Sequence, residues 1–208
     1  MTNRRDFLKL GMATAAITFT APAHKFPVCL TRTEELSVIS PYKILFDGRY
    51  PDSRAFAGEL VRRGIAVEEL RNNGNVTDFW YHDLYHQWLR KPVAIAGLTS
   101  PDSLFCLELL AADRKMHVIY RAEHRYLADD RIQHRGRGTD GVLAQLQDAA
   151  GSGNDWSRRL AGLVTNCPPA NTGYSGKTCI TDLTTPAKQR ALLVSWVIAP
   201  VQRTRAGA

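Results

Sequence analysis

The sequence lacks long apolar runs, is poor in cysteine and contains no short motif that identifies a common catalytic centre. A membrane-spanning helix needs about 20 consecutive apolar residues, and no segment of the 208 residues offers them. The chain contains neither a Gly-x-Ser-x-Gly nucleophile elbow nor a Cys-x-x-Cys pair, and it has four cysteines in all. We therefore expect no transmembrane span, and no motif supports assignment to a particular enzyme class.

Two glycine-containing strings are similar to nucleotide-binding loops without completing them. The string NTGYSGKT has Asn171 where a phosphate-binding loop requires glycine. The string GSGNDW lacks the third glycine and the preceding strand of a dinucleotide fingerprint. The sequence therefore leaves the cofactor unknown.

The first 23 residues have the features of an export signal. Asn3-Arg4-Arg5-Asp6-Phe7-Leu8-Lys9 resembles the twin-arginine signal, with Asn3 replacing the usual leading serine or threonine. A short Ala- and Thr-rich stretch follows, and Ala21-Pro22-Ala23 is a small-x-small cleavage signature, so the mature chain is expected to start at His24. A cytosolic amphipathic helix is the alternative for this segment. The resemblance implies passage through the twin-arginine translocase and a periplasmic location.

The charge and the export route together suggest what the protein meets. Removal of Arg4, Arg5, Lys9 and Asp6 with the signal lowers the formal charge from +7 to +5. In a periplasm this surplus favours an acidic partner, an anionic lipid surface or a small anionic or polar ligand over nucleic acid. Known clients of the twin-arginine route often carry a cofactor or accompany a redox subunit, so the resemblance also implies a larger exported redox partner.

The cysteines lie in a chain expected to reach an oxidising compartment. Cys167 and Cys179 flank the Pro- and Gly-rich segment PPANTGYSGKT, and a disulfide between them would stabilise this loop by about 2–3 kcal/mol. Cys106, in SLFCLELL, is interpreted as a small buried apolar residue. Cys29 is either free or paired with one of the others.

Alternating strand and helix patterns predict an α/β fold. Apolar runs predict strands at YKILFDG, IAVEEL, PVAIAGLT and KMHVIYRA, with helices at SRAFAGELVRRG, after Thr77 and after Ser100. This order predicts one three-layer domain with a mostly parallel sheet, flavodoxin-like or Rossmann-like. Residues 127–139 are interpreted as a basic loop, followed by two helices and a last strand at RALLVSWVIAP. We expect a leader at 24–40, the domain at 41–200 and a flexible tail at 201–208.

The stretch FWYHDLYHQWL is rich in aromatic residues and histidine. At about 100° per residue, Trp80, Leu84 and Trp88 form one apolar stripe with Tyr81 beside it, and His82 and His86 lie on the opposite side. An i, i+4 histidine pair has metal-ligand spacing, although no glutamate completes a zinc-peptidase motif here. Two solvated histidines are the alternative interpretation.

Processing at Ala23 would create a second candidate metal ligand. A mature N-terminal His24 offers its amine and its ring nitrogen to one metal, which resembles the copper site of copper-dependent polysaccharide monooxygenases and some periplasmic copper carriers. His82 or His86 would supply a further imidazole. Copper binding is therefore a minor alternative for the function.

The predicted strand ends carry the remaining candidate site residues. In open parallel sheets, ligands bind outside the carboxyl ends of the strands. Candidate ligand-binding residues at these ends are Arg49, Tyr50, Thr99, Ser100 and Arg121. His124 is a candidate acid or base, with Asp47 or Glu123 as its carboxylate partner. Helix caps and surface ion pairs are the alternative interpretation of these residues.

These observations predict an exported α/β protein that binds a small ligand or serves as an accessory subunit of another exported, redox enzyme. The alternative is a periplasmic enzyme, hydrolase or isomerase-like, with its site at the strand ends.

Overall fold

The computed structural model describes residues 38–168, 174–184 and 191–200. All described residues belong to one compact unit. The predicted signal peptide, His24, Cys29 and the tail 201–208 lie outside the described residues, so the boundaries at both ends of the domain stay predictions. No helix in the described ranges is long and apolar enough to span a bilayer.

The first half of the fold alternates strands and helices. Strand β1 (Lys43–Phe46) leads to helix α1 (Pro51–Arg62), which begins with proline in its first turn, where no backbone N–H is needed. Strand β2 (Val67–Glu69) follows, and β3 (Ile95–Thr99) comes after an intervening helix. Strand β1 pairs in parallel with both β2 and β3. The sequence prediction is confirmed for these elements.

The aromatic stretch forms helix α2, which contains a π-helical segment. Its successive parts are Thr77–Phe79, the π-helical Trp80–Leu84 and Tyr85–Arg90. Leu84 and Trp88 are buried as predicted, but Tyr81 is 63% exposed and Phe79 is buried instead. A π turn contains more residues than an α turn, and it therefore changes which side chains face the core.

The second half contains four antiparallel strands and three further helices. Helix α3 (Pro101–Ala112) leads to β4 (Met116–Tyr126), which forms a hairpin with β5 (Arg131–Gly138). Helices α4 (Asp140–Ala150) and α5 (Trp156–Thr165) follow, separated by a 3-10 turn at Gly153–Asp155. Strands β6 (Ser175–Asp182) and β7 (Leu193–Pro200) complete the described part.

The basic segment predicted to be a loop is mostly a strand. Inward and outward side chains alternate along β5, as expected for an antiparallel strand with one solvated face. The inward residues, however, include His134, Gly136 and Gly138, which are not typical strand residues. A Cβ at Gly136 would lie 2.3 Å from a methyl group of Leu146, so the close approach of α4 explains this glycine.

The strand order corrects the predicted sheet topology. Within the described residues, seven strands form one sheet in the order β2-β1-β3-β7-β4-β5-β6. Only the two pairs made by β1 are parallel, and the other four are antiparallel. The prediction of a mostly parallel, flavodoxin-like or Rossmann-like sheet was wrong, because β7 inserts between β3 and β4 and the segment after β4 returns as β5.

Helices pack on both faces of the sheet. On the first face, α1, α4 and α5 cover a core that includes Phe56, Tyr120 and Trp156. On the second face, α2 and α3 cover a core that includes Trp88 and Trp196. In the described ranges these two helices leave the second face of β5 and β6 uncovered, and we call this region the open sheet face.

Candidate functional site

Several of the predicted site residues lie at one edge of the sheet. Strand β4 runs in the same direction as β1 and β3, because both β3 and β4 are antiparallel to β7. Thr99 at the end of β3 and Glu123 of β4 both pair with Val194, so these two residues lie level on either side of β7, and β4 continues to Tyr126. The sheet therefore brings these residues to the same end of parallel-running strands, although four of its six strand pairs are antiparallel.

At the end of β1, Asp47 and Arg49 form a closed ion pair. The Asp47 side chain is fully buried and accepts hydrogen bonds from Arg49 Nε at 2.9 Å and Nη2 at 2.6 Å. The Asp47 backbone N–H donates to Ser53 Oγ, whose hydroxyl donates to the Leu98 carbonyl. The guanidinium also lies 5.2 Å from the centre of the Tyr50 ring. Ser53 thus links the end of β1 to α1 and β3, and Arg49 neutralises the buried charge of Asp47.

The polar residues after β3 are likewise engaged within the protein. Trp196 Nε1 donates to Thr99 Oγ1 at 3.0 Å, and the Thr99 hydroxyl donates to the Ser100 carbonyl. The Ser100 and Ser103 hydroxyls are 3.0 Å apart, and Ser103 donates to the Gly74 carbonyl. Thr99 and Ser100 thus have internal partners and form part of the packing at this edge.

Gly74 closes this edge of the sheet over the buried pair. It has a positive φ of 78°, and a Cβ there would lie 2.8 Å from Asp47 Oδ2 and 2.9 Å from Ser103 Oγ. Only glycine adopts this backbone conformation easily and allows so close an approach. Little room remains at this edge for a ligand beside Asp47.

His124 faces the first side of the sheet and belongs to a buried chain of hydrogen bonds. Its Nδ1 lies 2.6 Å from Nδ1 of His134, and its Nε2 lies 2.8 Å from Ser195 Oγ. Ser195 Oγ is 2.9 Å from the Tyr120 hydroxyl, and His134 Nε2 is 2.7 Å from Thr181 Oγ1. All five side chains are at most 1% exposed. We call these residues the histidine chain.

The hydrogens of the histidine chain have only one consistent arrangement when both rings are neutral. The Thr181 hydroxyl donates to the Ala150 carbonyl, which can only accept, so Thr181 Oγ1 accepts from His134 Nε2–H. His134 Nδ1 is then the acceptor for His124 Nδ1–H, and His124 Nε2 accepts from Ser195. Tyr120 finally donates to Ser195. Every polar atom named here is satisfied by this arrangement.

The surroundings of the two rings favour their neutral forms. Trp156 packs against both, with ring centroids 4.7 Å from His124 and 5.1 Å from His134. Burial lowers the pKa of His134 to about 4. Burial, together with the neighbouring ring of His134, holds the pKa of His124 well below its ordinary value of 6.5. In this arrangement a proton added to His134 Nδ1 would place two N–H groups against each other across the 2.6 Å contact, and one added to His124 Nε2 would oppose the hydroxyl that Ser195 donates.

The structure does not assemble the predicted catalytic group. His124 is fully buried and both its ring nitrogens are hydrogen-bonded. Glu123 precedes it in the strand and therefore points to the opposite face of the sheet, while the Asp47 carboxylate is held by Arg49. Both ring nitrogens of His124 are thus engaged inside the protein, and its catalytic role stays a prediction.

A tyrosine–carboxylate pair lies beside the histidine chain. Tyr126 follows His124 on the same face of β4, and its hydroxyl donates a hydrogen bond to Asp52 in the first turn of α1. Burial raises the pKa of the Asp52 carboxyl, although the bond from Tyr126 acts in the opposite direction. This pair joins the end of β4 to α1.

On the second face, charged side chains of β4 and β5 form a pocket. Arg121 pairs in register with Arg137, and Glu123 with Arg135. The four side chains line a space of about 300 Å³, which we call the arginine pocket. Arg121 Nη1 lies 3.4 Å from Glu108 of α3, and its Nη2 lies 3.3 Å from Glu123. No carboxylate of the described chain forms an ion pair with Arg135 or Arg137.

The predicted metal ligands do not form a site in the described part. His82 and His86 are both exposed, and no group of three His, Cys, Asp or Glu side chains suited to a metal ion is present among the described residues. His82 lines an acidic cleft of about 470 Å³ together with Glu68, Glu69 and Asp78. His24 lies outside the described residues, and its copper role stays a prediction.

The cysteines within the described ranges are free thiols. Cys167 is buried and Cys179 is partly buried, and burial raises the pKa of both, to about 12 for Cys167. The predicted disulfide between them is not formed here, and the pairing stays a prediction. Cys106 was expected to be buried and is exposed on α3.

Sequence reasoning identified Arg121 but missed the rest of the arginine pocket and most of the histidine chain. Arg135, Arg137 and His134 fall in the segment interpreted as a loop. The alternation of charged and small residues in RIQHRGRG was the available signal. Ser195 and Thr181 are polar residues within strands, and nothing in the sequence marks them as partners of a histidine.

Comparisons with models of protein families, with curated proteins and with solved structures find no match to this chain.

Proposed function

We propose that this chain is an exported binding protein that recognises a multivalent anion in the arginine pocket. The observation that carries the proposal is the pair Arg135 and Arg137, which face solvent beside Arg121 without a carboxylate partner in the described chain. Three guanidinium groups and the carboxylate of Glu123 line the pocket, and the carboxylate of Glu108 contacts Arg121 from α3. The site therefore has a net positive charge in a concave space.

The chemistry of the pocket suits carboxylate and phosphate groups. A guanidinium presents several N–H donors in a plane and binds such groups in bidentate fashion. Glu108 and Glu123 contact Arg121 from two sides, which orients its guanidinium within the pocket. Arg135 and Arg137 keep their donors available for a ligand. This division of roles supports binding of an anion with at least two charged groups.

A periplasmic enzyme, hydrolase or isomerase-like, is the alternative, and the geometry favours it less. Its candidate residues His124 and Asp47 have their polar atoms bound to partners inside the protein. The arginine pocket contains no histidine, serine or cysteine. We therefore propose binding as the function of the pocket.

The site is testable with small anions of known charge. We expect citrate and pyrophosphate to bind the processed protein in calorimetric titrations at low ionic strength, and salt to weaken the binding. Arg135→Gln/Arg137→Gln should reduce the affinity at least tenfold, because hydrogen bonds between charged groups contribute about 1.5–3 kcal/mol each. Arg90→Gln removes a charge at the end of α2 and should leave the affinity unchanged.

Two results would contradict this proposal. One is the absence of binding by the unmodified protein at millimolar anion. The other is an equal affinity for the double variant and the wild type.

Export forms a separate part of the proposal and rests on the resemblance of residues 1–23 to a twin-arginine signal. Replacement of Arg4 and Arg5 by lysine should leave the unprocessed precursor in the cytoplasm, since the resemblance depends on that pair. Cell fractionation and the N-terminal sequence of the product measure this outcome, with Lys9→Arg as a conservative control. Processing and periplasmic recovery of the double variant would refute the assigned route.

A role beside a larger exported redox enzyme fits both parts of the proposal. A basic pocket on an uncovered sheet face offers a place for an acidic surface of such a partner. Copper binding through His24 is the minor alternative, and it needs ligands outside the described residues.

A further inference from the structure

The open sheet face has room for one more helix. Over the described residues, α2 and α3 pack on the second face while the outward side of β5 and β6 carries no helix. Adjacent strands are about 4.8 Å apart, so the distance from β4 to β6 is about 10 Å. An α-helix with its side chains is about 10–12 Å in diameter. A single helix beside α3 would therefore complete this layer.

The floor of this region is basic. Outward residues of β4 and β5 include Arg121, Arg125, Arg131, Arg135 and Arg137, and the carboxylates on this face are Glu123 of β4 and Asp182 of β6. A helix lying on this floor would need acidic side chains on the surface that faces it, because uncompensated arginines are costly to desolvate.

One wall of the region is apolar. Phe105 and Leu109 of α3 are 60% and 57% exposed, and they are one helical turn apart. Glu108, which contacts Arg121, lies three residues after Phe105 and is therefore its neighbour on the helix surface. Phe105 thus borders the flank of α3 that faces the arginine pocket, and Leu109 lies one turn further along α3 beside Phe105. Exposed apolar side chains beside a charged cluster are typical of protein interfaces.

We propose that the open sheet face is the docking site of an acidic amphipathic helix of a partner protein. This inference rests on the proposed anion-binding function and identifies the carrier of the anionic groups. Glutamates or aspartates of the partner helix pair with Arg135 and Arg137, and its apolar stripe packs against Phe105 and Leu109.

The shape of the region favours a helix over a membrane surface. A helix axis lies about 10 Å above the sheet on which it packs, so the outer side of α3 stands well above the arginine floor. A flat bilayer in contact with Phe105 and Leu109 would not reach Arg135 and Arg137. A cylinder lying beside α3 reaches both groups at once.

The test uses three synthetic peptides of 18 residues and the processed chain from His24. The first has leucine at helical spacing with glutamate and alanine elsewhere, the second has the same composition in permuted order, and the third is polyglutamate. Fluorescence anisotropy measures their binding. We expect the amphipathic peptide to bind at least tenfold more tightly than either control.

Variants separate the two contributions to binding. Phe105→Gln/Leu109→Gln should lower the affinity for the amphipathic peptide about tenfold and leave the affinity for citrate unchanged. Arg135→Gln/Arg137→Gln should lower the affinity for both the peptide and citrate. Leu89→Gln, at an apolar residue of α2 that is 52% exposed, should affect neither. Far-UV circular dichroism confirms that each variant is folded.

Each contrary outcome identifies the claim that fails. Equal binding of the amphipathic and permuted peptides, or no effect of the Phe105/Leu109 changes, overturns the docking inference while citrate binding upholds the anion site. Absence of both citrate and peptide binding overturns both proposals. Binding to phosphatidylglycerol vesicles without binding to the amphipathic peptide overturns the inference in favour of a lipid surface.

Discussion

The protein should lose stability steeply as the pH falls from about 6.5 towards about 4. The unfolded chain binds protons at His124 and His134 near the ordinary histidine pKa of 6.5, whereas the folded state holds the pKa of His134 at about 4 and that of His124 well below its ordinary value. The unfolded state thus binds more protons across this window. The stabilisation that comes from keeping both histidines neutral is fully present above this pH range and is lost as the pH falls through it. The loss amounts to about 1.4 kcal/mol per pH unit for each histidine.

Urea denaturation at several pH values measures this slope. His117→Gln changes an exposed histidine and should retain the full slope, whereas His134→Gln should remove about half of it even if the variant is less stable at every pH. Asp52, whose pKa is raised by burial, acts with the opposite sign at the acidic end of the range. A wild-type free energy of unfolding that stays constant from pH 7 to pH 5 would show that the buried histidines do not titrate as described.

Arg49→Gln should destabilise the fold by about 2–4 kcal/mol, because it leaves the buried Asp47 carboxylate without its guanidinium partner. The Asp47 side chain has no exposure, and both of its oxygens accept hydrogen bonds from Arg49. Removal of one partner of a buried ion pair typically costs about 3–5 kcal/mol, and the partial exposure of Arg49 reduces this value. Thermal and urea unfolding of the single variant measure the effect.

A second substitution distinguishes an unpaired charge from a general loss of packing. Asp47→Asn in the Arg49→Gln background should recover part of the lost stability, since the neutral amide is less costly to bury. Arg62→Gln serves as the control, because Arg62 is 71% exposed and its ion pair with Glu59 is expected to contribute little. Equal stability of Arg49→Gln and Arg62→Gln would contradict the stabilising role of the Arg49–Asp47 pair.

The elements that the sequence predicted well have continuous apolar runs or strong helix signals. Strands β1, β3 and β7 are buried on both faces and consist mainly of apolar residues, so a local pattern is sufficient to identify them. Strands β5 and β6 have one solvated face, and their inward positions include His134, Gly136 and Cys179. Their strand character depends on α4 and on the buried partners of His134, which are distant in the sequence.

The candidate site was predictable only where it depended on strand ends. Asp47, Thr99 and Ser100 were placed at one edge, but the sequence does not show that Arg49, Trp196 and Ser103 occupy their polar atoms. Arg121 was identified because it ends an apolar run. Its partners Arg135 and Arg137 become neighbours only through the β4–β5 hairpin, and the register of a hairpin follows from its turn and its buried face.

The central position of β7 governs the order in which the fold is completed. β7 follows every other described strand in the chain, yet it lies between β3 and β4 and joins the two halves of the sheet. A nascent chain that ends before residue 193 exposes the unpaired edges of both β3 and β4, which are sites for aggregation. Folding of the whole sheet must therefore follow release of this segment from the ribosome. On the proposed twin-arginine route, which exports folded chains, the cytoplasm would have to protect the incomplete sheet until that moment.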